Sequence, residues 1–213
     1  MALRVVLADD HVIVREGLRV VLQAKGFQVA GEASDGAEAV DLCQKLRPDV
    51  AVLDISMPLM NGLDAAHAIS KTCLQTKIVL LTVHTQERYV LQALHYGVTG
   101  YLLKENAADE LVTALRAVCR GAIYVTSGVS HAVVQAFAED EEDFRKVLSP
   151  SERQVLQLIA EGKSMKEIGA LLGVSRGTAD SHRANLMNKT GLHDTASLVR
   201  YAMSIGLIRG KDL

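Results

Sequence analysis

The sequence predicts a doubly wound α/β domain, a five-stranded parallel sheet in the order 2-1-3-4-5, followed by a small all-α helix-turn-helix domain. Three observations lead there. Short, continuous Val/Ile/Leu runs alternate with helical periodicities through the first part of the chain. After Leu148, two Ser-x-x-Glu boxes and a glycine turn set out a series of short helices. The charge divides at the same place. Residues 149–213 hold 9 Lys+Arg and 6 Asp+Glu, net +3, while the rest hold 14 and 19, net −5. A basic module behind an acidic one suits a polyanionic partner for the second.

The strand-like runs are Arg4–Ala8, Gln28–Ala33, Val50–Leu53, Ile78–Thr82 and Gly100–Leu102. They lack polar alternation, which suits parallel strands covered on both faces. Between them lie helical stripes. Val14, Leu18, Val21 and Leu22 form the first, and Leu111, Leu115 and Val118 the last. Repeated βα units of this size wind into a sheet with helices on both faces. Residues 1–121 are therefore expected to form the first domain and 122–147 a linker. In the linker, Ala132–Ala138 has the pattern of a short helix and Glu139–Asp143 is a solvated acidic run. Residues 148–213 form the second domain. Ser149-Pro150-Ser151-Glu152 is a capping box with proline at the first helical position. Ser164 and Glu167 repeat the box, and Gly173 ends that helix. Ser175 caps a third helix reaching Lys189, and Asp194 caps a fourth reaching Ser204.

The overall composition excludes several classes. The net charge of −2 is not that of a uniformly basic nucleic-acid coat. No apolar run approaches the roughly 18–20 residues that cross a bilayer. The start reaches Asp9-Asp10 too soon for a signal peptide. Cys43, Cys73 and Cys119 are odd in number and far apart, which reads as reduced core thiols in a cytoplasmic protein.

Three carboxylates fall where such a fold binds ligands. Asp9 and Asp10 follow the first strand and Asp54 follows the third, neighbours at the topological switch point. Converged and unpaired, they would repel, and one would be driven to stay protonated. A hard divalent cation such as Mg²⁺ resolves the conflict. Thr82 ends the fourth strand and Lys104 follows the fifth, adding a hydroxyl and an ammonium at the same edge. Together these groups suit an anion bridged to the metal, with a carboxylate able to accept a phosphoryl group.

Residues 3–119 resemble the receiver domain of two-component response regulators. The matching motifs are Leu7-Ala8-Asp9-Asp10-His11, Val52-Leu53-Asp54-Ile55-Ser56-Met57-Pro58, Leu81-Thr82 and Gly100-Tyr101-Leu102-Leu103-Lys104. The resemblance implies that Asp54 is the phosphoacceptor. It makes Asp9, Asp10, Asp54 and the Ser56 backbone carbonyl the Mg²⁺ ligands. Thr82 and Tyr101 become the switch pair, and Lys104 the phosphate-binding lysine. Thr82 is expected to move toward the phosphoryl group, with Tyr101 swinging in behind it. Ser56 and His84, each two residues beyond a site residue, are the positions that tune phosphoryl lifetime.

Residues 148–208 resemble the LuxR-type DNA-binding domain, through Leu148–Arg153, Lys166-Glu167-Ile168, Val174-Ser175 and Thr178–His182. The two domains in this order resemble the NarL/FixJ family of response regulators. The third helix of the second domain then reads DNA. Ala179 and Leu186 face the core, with His182 near that side, while Asp180, Ser181, Arg183, Ala184 and Met187 face outward. Arg176 and Arg183 are the candidate base or phosphate contacts, with Thr178, His182 and Lys189 on the same helix. Lys163, Ser164 and Lys166 are placed to grip the DNA backbone. The family usually has Val-Lys at Ala179-Asp180, Asn at Met165, Ala at Gly169 and Arg at Ser151. Asp180 either accepts from a cytosine N4 or weakens binding as a brake. The last helix carries more apolar residues than one stripe needs, which favours a homodimer on palindromic promoter DNA.

The function expected is thus a transcriptional regulator phosphorylated at Asp54 by a cognate histidine kinase, with catalysis limited to its own phosphorylation and dephosphorylation. Two rival readings are separable on sequence. A haloacid-dehalogenase-type phosphatase needs Asp-x-Asp-x-Thr after the first strand, where this chain has Asp9-Asp10-His11-Val12. An adaptor whose helical domain binds protein is separated by salt-dependent retention on duplex DNA.

Overall fold

The computed structural model describes residues 2–83, 90, 93, 96–126 and 148–208. His84, the helix expected at Ala132–Ala138 and the acidic run at Glu139–Asp143 lie outside the described residues. The chain divides into two compact units, Met1–Ala138 and Glu139–Leu213.

The first unit is a parallel sheet of β1 (Arg4–Ala8), β2 (Gln28–Ala33), β3 (Val50–Asp54), β4 (Lys77–Thr82), β5 (Gly100–Leu103) and β6 (Tyr124–Val125). Their order is β2-β1-β3-β4-β5-β6. The five expected strands are all present in the expected order. The sixth is an addition to the five expected strands. Its Tyr124 and Val125 pair with Gly100 and Tyr101. The Tyr124 and Thr126 hydroxyls both donate to Glu110 Oε2, at 3.3 and 2.9 Å.

Helices α1 (Val12–Ala24), α2 (Gly36–Leu46), α3 (Gly62–Thr72) and α4 (Ala107–Cys119) lie between strands. Side chains alternate across a strand, so Val5 and Leu7 join one core cluster while the equally buried Val6 and Ala8 face the other side. Leu18 and Leu22 of α1 and Leu111, Leu115 and Val118 of α4 complete the first cluster. Val14, expected on the buried stripe, is instead exposed, while Leu18 and Leu22 of the same stripe are buried.

The second unit comprises α5 (Pro150–Ala160), α6 (Met165–Leu171), α7 (Arg176–Thr190) and α8 (Thr195–Ser204). Both capping boxes form as the sequence predicts. Ser149 and Glu152 exchange side-chain and backbone hydrogen bonds, and so do Ser164 and Glu167. Ser175 and Asp194 cap the other two helices. Gly173 takes φ +66° in the turn between α6 and α7, a conformation that disfavours any residue with a Cβ. Gly169 sits where a Cβ would meet the Val174 carbonyl oxygen at 3.1 Å, a tight approach that favours glycine there.

Candidate phosphoacceptor site and nucleic-acid interface

Sheet register places the acidic residues together. Ala8 pairs with Leu53, so Asp9 leaves β1 beside Asp54 at the end of β3. Thr82 pairs with Leu103, so Lys104 leaves β5 one residue beyond the end of β4. All of these groups emerge at the carboxyl edge of the strands, where open α/β sheets bind ligands.

Asp9 and Asp54 are each only 1% exposed. Lys104 Nζ donates to Asp9 Oδ2 at 2.6 Å and lies 2.8 Å from Asp54 Oδ2. Asp9 also accepts from the His11 backbone N–H at 2.9 Å. Asp10 is more open, and its Oδ1 lies 2.7 Å from His11 Nδ1. One ligand atom from each of Asp9, Asp10, His11 and Asp54 falls within 4.8 Å of the others. Carboxylate oxygens at this spacing fit a hard divalent cation. His11 was not among the expected site residues. Its place beside the acid pair was visible in the sequence, but the turn of its ring toward Asp10 was not. Ser56 is buried two residues beyond Asp54.

The loop behind Asp54 is tightly built. Asn61 caps α3 by accepting from the Leu63 and Asp64 N–H groups, both at 3.0 Å. Gly62 follows, and a Cβ there would meet the Asp54 carbonyl oxygen at 2.0 Å. Only glycine lets the helix start so close to the end of β3.

Thr82 and Tyr101 are both buried, and their side chains hydrogen-bond each other. Burial pushes the Tyr101 phenol above its ordinary pKa, and the bond to Thr82 opposes this only partly. The Tyr101 phenol already lies in the core in this conformation.

On α7, Ala179 and Leu186 are buried as expected, while Asp180, Ser181 and Ala184 are exposed. Arg183, expected outward, is half-buried. Its Nε is buried and has no hydrogen-bond partner. Lys189 places Nζ 2.7 Å from Glu152 Oε2 and joins α7 to the α5 capping box. Arg176 Nε lies 3.6 Å from Asp180 Oδ2. Lys163, Ser164 and Lys166 cluster at the start of α6, and Lys163 and Ser164 are exposed. Thr178 and His182 lie on the N-terminal half of α7, where the Thr178 hydroxyl shares a 2.9 Å hydrogen bond with Ser175.

Residues 5–116 match the family model of the response regulator receiver domain, and residues 146–202 match that of the bacterial regulatory proteins of the luxR family. The chain is a response regulator of the NarL/FixJ family. The regulator is 36% identical to the transcriptional regulatory protein MctR of Rhizobium johnstonii, covering 97% of this chain and 95% of MctR. It is 35% identical to the response regulator UvrY of Escherichia coli K12, over 99% and 98%. Among solved structures it resembles Salmonella enterica RcsB bound to promoter DNA with the phosphomimetic BeF₃⁻. That match has 30% identity, covers 96% of this chain and all of RcsB, and gives a TM-score of 0.69. The regulator is a phosphorylation-controlled transcriptional regulator, and the family does not consist of classical enzymes. Among the described residues no helix is long and apolar enough to cross a membrane.

Proposed function

We propose that a cognate histidine kinase phosphorylates this regulator at Asp54, and that the phosphorylated form binds promoter duplex as a homodimer in the cytoplasm. One observation carries the reading. The Lys104 ammonium contacts both Asp9 and Asp54, in a cluster that also includes Asp10 and His11. An oxygen of Asp54 attacks phosphorus while the bond from phosphorus to the kinase histidine breaks. Lys104 then follows the developing negative charge onto a phosphoryl oxygen. Asp9, Asp10, Asp54 and the Ser56 carbonyl would hold Mg²⁺, which would supply positive charge against the developing negative charge. Thr82 donates to the phosphoryl group at the expense of its bond to Tyr101, and the rearranged end of β4 and β5 biases the output surface. Water later attacks the acyl phosphate, at a rate that Ser56 and His84 tune.

The kinase reading has further support at the same edge. Val12, Ile13, Leu59 and Val83 follow β1, β3 and β4 with exposed apolar side chains, Ile13 at 86%. Such a rim around a buried acceptor suits a protein donor. The DNA reading draws on the helix-turn-helix geometry and on RcsB, solved with promoter DNA and as paired dimers on two DNAs. Receiver, linker and DNA-binding segments follow at 1–121, 122–147 and 148–213.

Intact mass after incubation with a small acyl phosphate and Mg²⁺ tests the acceptor. The full chain should gain one phosphoryl group and Asp54→Asn none. Undiminished labelling of Asp54→Asn would overturn the assignment.

A further inference from the structure

We propose that Asp180 is a positioning residue for base recognition, holding the Arg176 guanidinium so that its terminal amino groups face a guanine in the major groove. The inference rests on the DNA-binding reading above and adds to it a residue pair and a base. Arg176 is the first residue of α7, and Asp180 lies one turn along on the same face. Arg176 Nε lies 3.6 Å from Asp180 Oδ2, with the side chains 74% and 48% exposed. That separation is an ion pair rather than a hydrogen bond. An exposed i, i+4 pair contributes little to stability, so what it supplies is orientation. Approach from the Nε side leaves the two terminal amino groups as the leading edge. That edge matches the paired acceptors O6 and N7 of guanine. A lysine in place of Asp180 would push the guanidinium away.

The rest of α7 narrows the choice of reader. Lys189 is engaged by Glu152. Arg183 is half-buried with its Nε enclosed. The Ser181 hydroxyl donates to the Gly177 carbonyl at 2.9 Å. Among the described residues of α7, Arg176 is therefore the cation that presents an exposed guanidinium. Its partner Asp180 would have to leave it to accept from a cytosine N4.

Selection of bound sequences from a random duplex library tests the proposal. The full chain is used after treatment with an acyl phosphate and Mg²⁺, alongside Arg176→Ala, Asp180→Asn, Asp180→Glu and the Arg176→Ala/Asp180→Asn double variant. The parent should enrich guanine at one fixed position per half-site. Arg176→Ala and Asp180→Asn should lose that preference at the same position by about five- to hundredfold. The double variant should lose no more than Arg176→Ala, and Asp180→Glu should recover part of the preference. Retention of Asp180→Asn on random duplex should be equal or tighter. The proposal is overturned if Asp180→Asn keeps the guanine preference, whether or not it binds all sequences more tightly, as a simple brake would. Loss of preference at a different base pair also overturns it, because Asp180 would then be a direct reader. A parent that retains no duplex overturns the DNA-binding reading and this inference together. A parent that selects a site indifferent to Asp180→Asn overturns the inference alone.

Discussion

Lys104 Nζ lies 2.8 Å from Asp54 Oδ2, so the proposed acceptor is ion-paired before any phosphoryl group reaches it. The same ammonium is 2.6 Å from Asp9 Oδ2, and one cation serves two nearly inaccessible carboxylates. Lys104→Met leaves those carboxylates facing each other. It should lower stability by about 3–5 kcal/mol in urea unfolding without divalent cations. Mg²⁺ should restore part of the loss, since a cation bound only by the native site stabilises it by mass action. A variant as stable as the parent in the absence of Mg²⁺ would contradict this geometry.

Tyr101→Phe should show its effect at high pH. Burial raises the phenol pKa in the folded chain above its ordinary value near 10. Between those two values the unfolded chain loses a proton that the folded chain keeps, so stability falls as pH rises above about 10. The variant lacks both this titration and the hydrogen bond to Thr82. It should be about 1 kcal/mol less stable at neutral pH. The gap should then close by about 1.4 kcal/mol per pH unit above pH 10. Denaturant unfolding at several pH values measures it, and a gap independent of pH would refute the account.

Lys189 is expected to act on stability rather than on DNA. Burial alone would raise the Glu152 carboxyl, but hydrogen bonds from Lys189 and Ser149 outweigh it and hold the pKa below the usual range. The resulting stability is present above the unfolded carboxyl value of about 4.3 and is lost as pH falls through the lowered folded value. Lys189→Met should cost about 1–3 kcal/mol at neutral pH and progressively less below pH 4. The salt dependence of DNA binding should stay the same. A shallower salt slope would return Lys189 to the DNA contacts.

Gly62→Ala places a methyl group where the Asp54 carbonyl oxygen already stands. Backbone must move, and an overpacked site of this kind costs about 1–3 kcal/mol or more. Acyl phosphate labelling should fall sharply along with stability. Labelling at the parental rate would show that the loop yields without disturbing the acceptor.

Legibility in the sequence followed the range of the interaction. Capping boxes at Ser149 and Ser164 and the stop at Gly173 depend on residues within one helical turn, and they stand where the motifs placed them. The strands were legible because parallel, doubly covered strands are apolar throughout, and their ends then located Asp9, Asp54, Thr82 and Lys104. Strand β6 was not legible, since two residues carry no periodicity and its place depends on hydrogen bonds to β5. Lys189 and Glu152 meet across two helices, 37 positions apart, and no local pattern marks such a pair. The inward Tyr101 and the ring of His11 are rotamer choices that residue identity leaves open.

Charge added at Asp54 should control DNA binding, and one measurement addresses this directly. The affinity of the full chain for a duplex chosen from the selected pool is compared with and without acyl phosphate and Mg²⁺, in the parent and in Asp54→Asn. The parent should bind more tightly after treatment, in step with incorporation of one phosphoryl group, while Asp54→Asn should show neither change. An Asp54→Asn variant that gains affinity as the parent does would contradict the account.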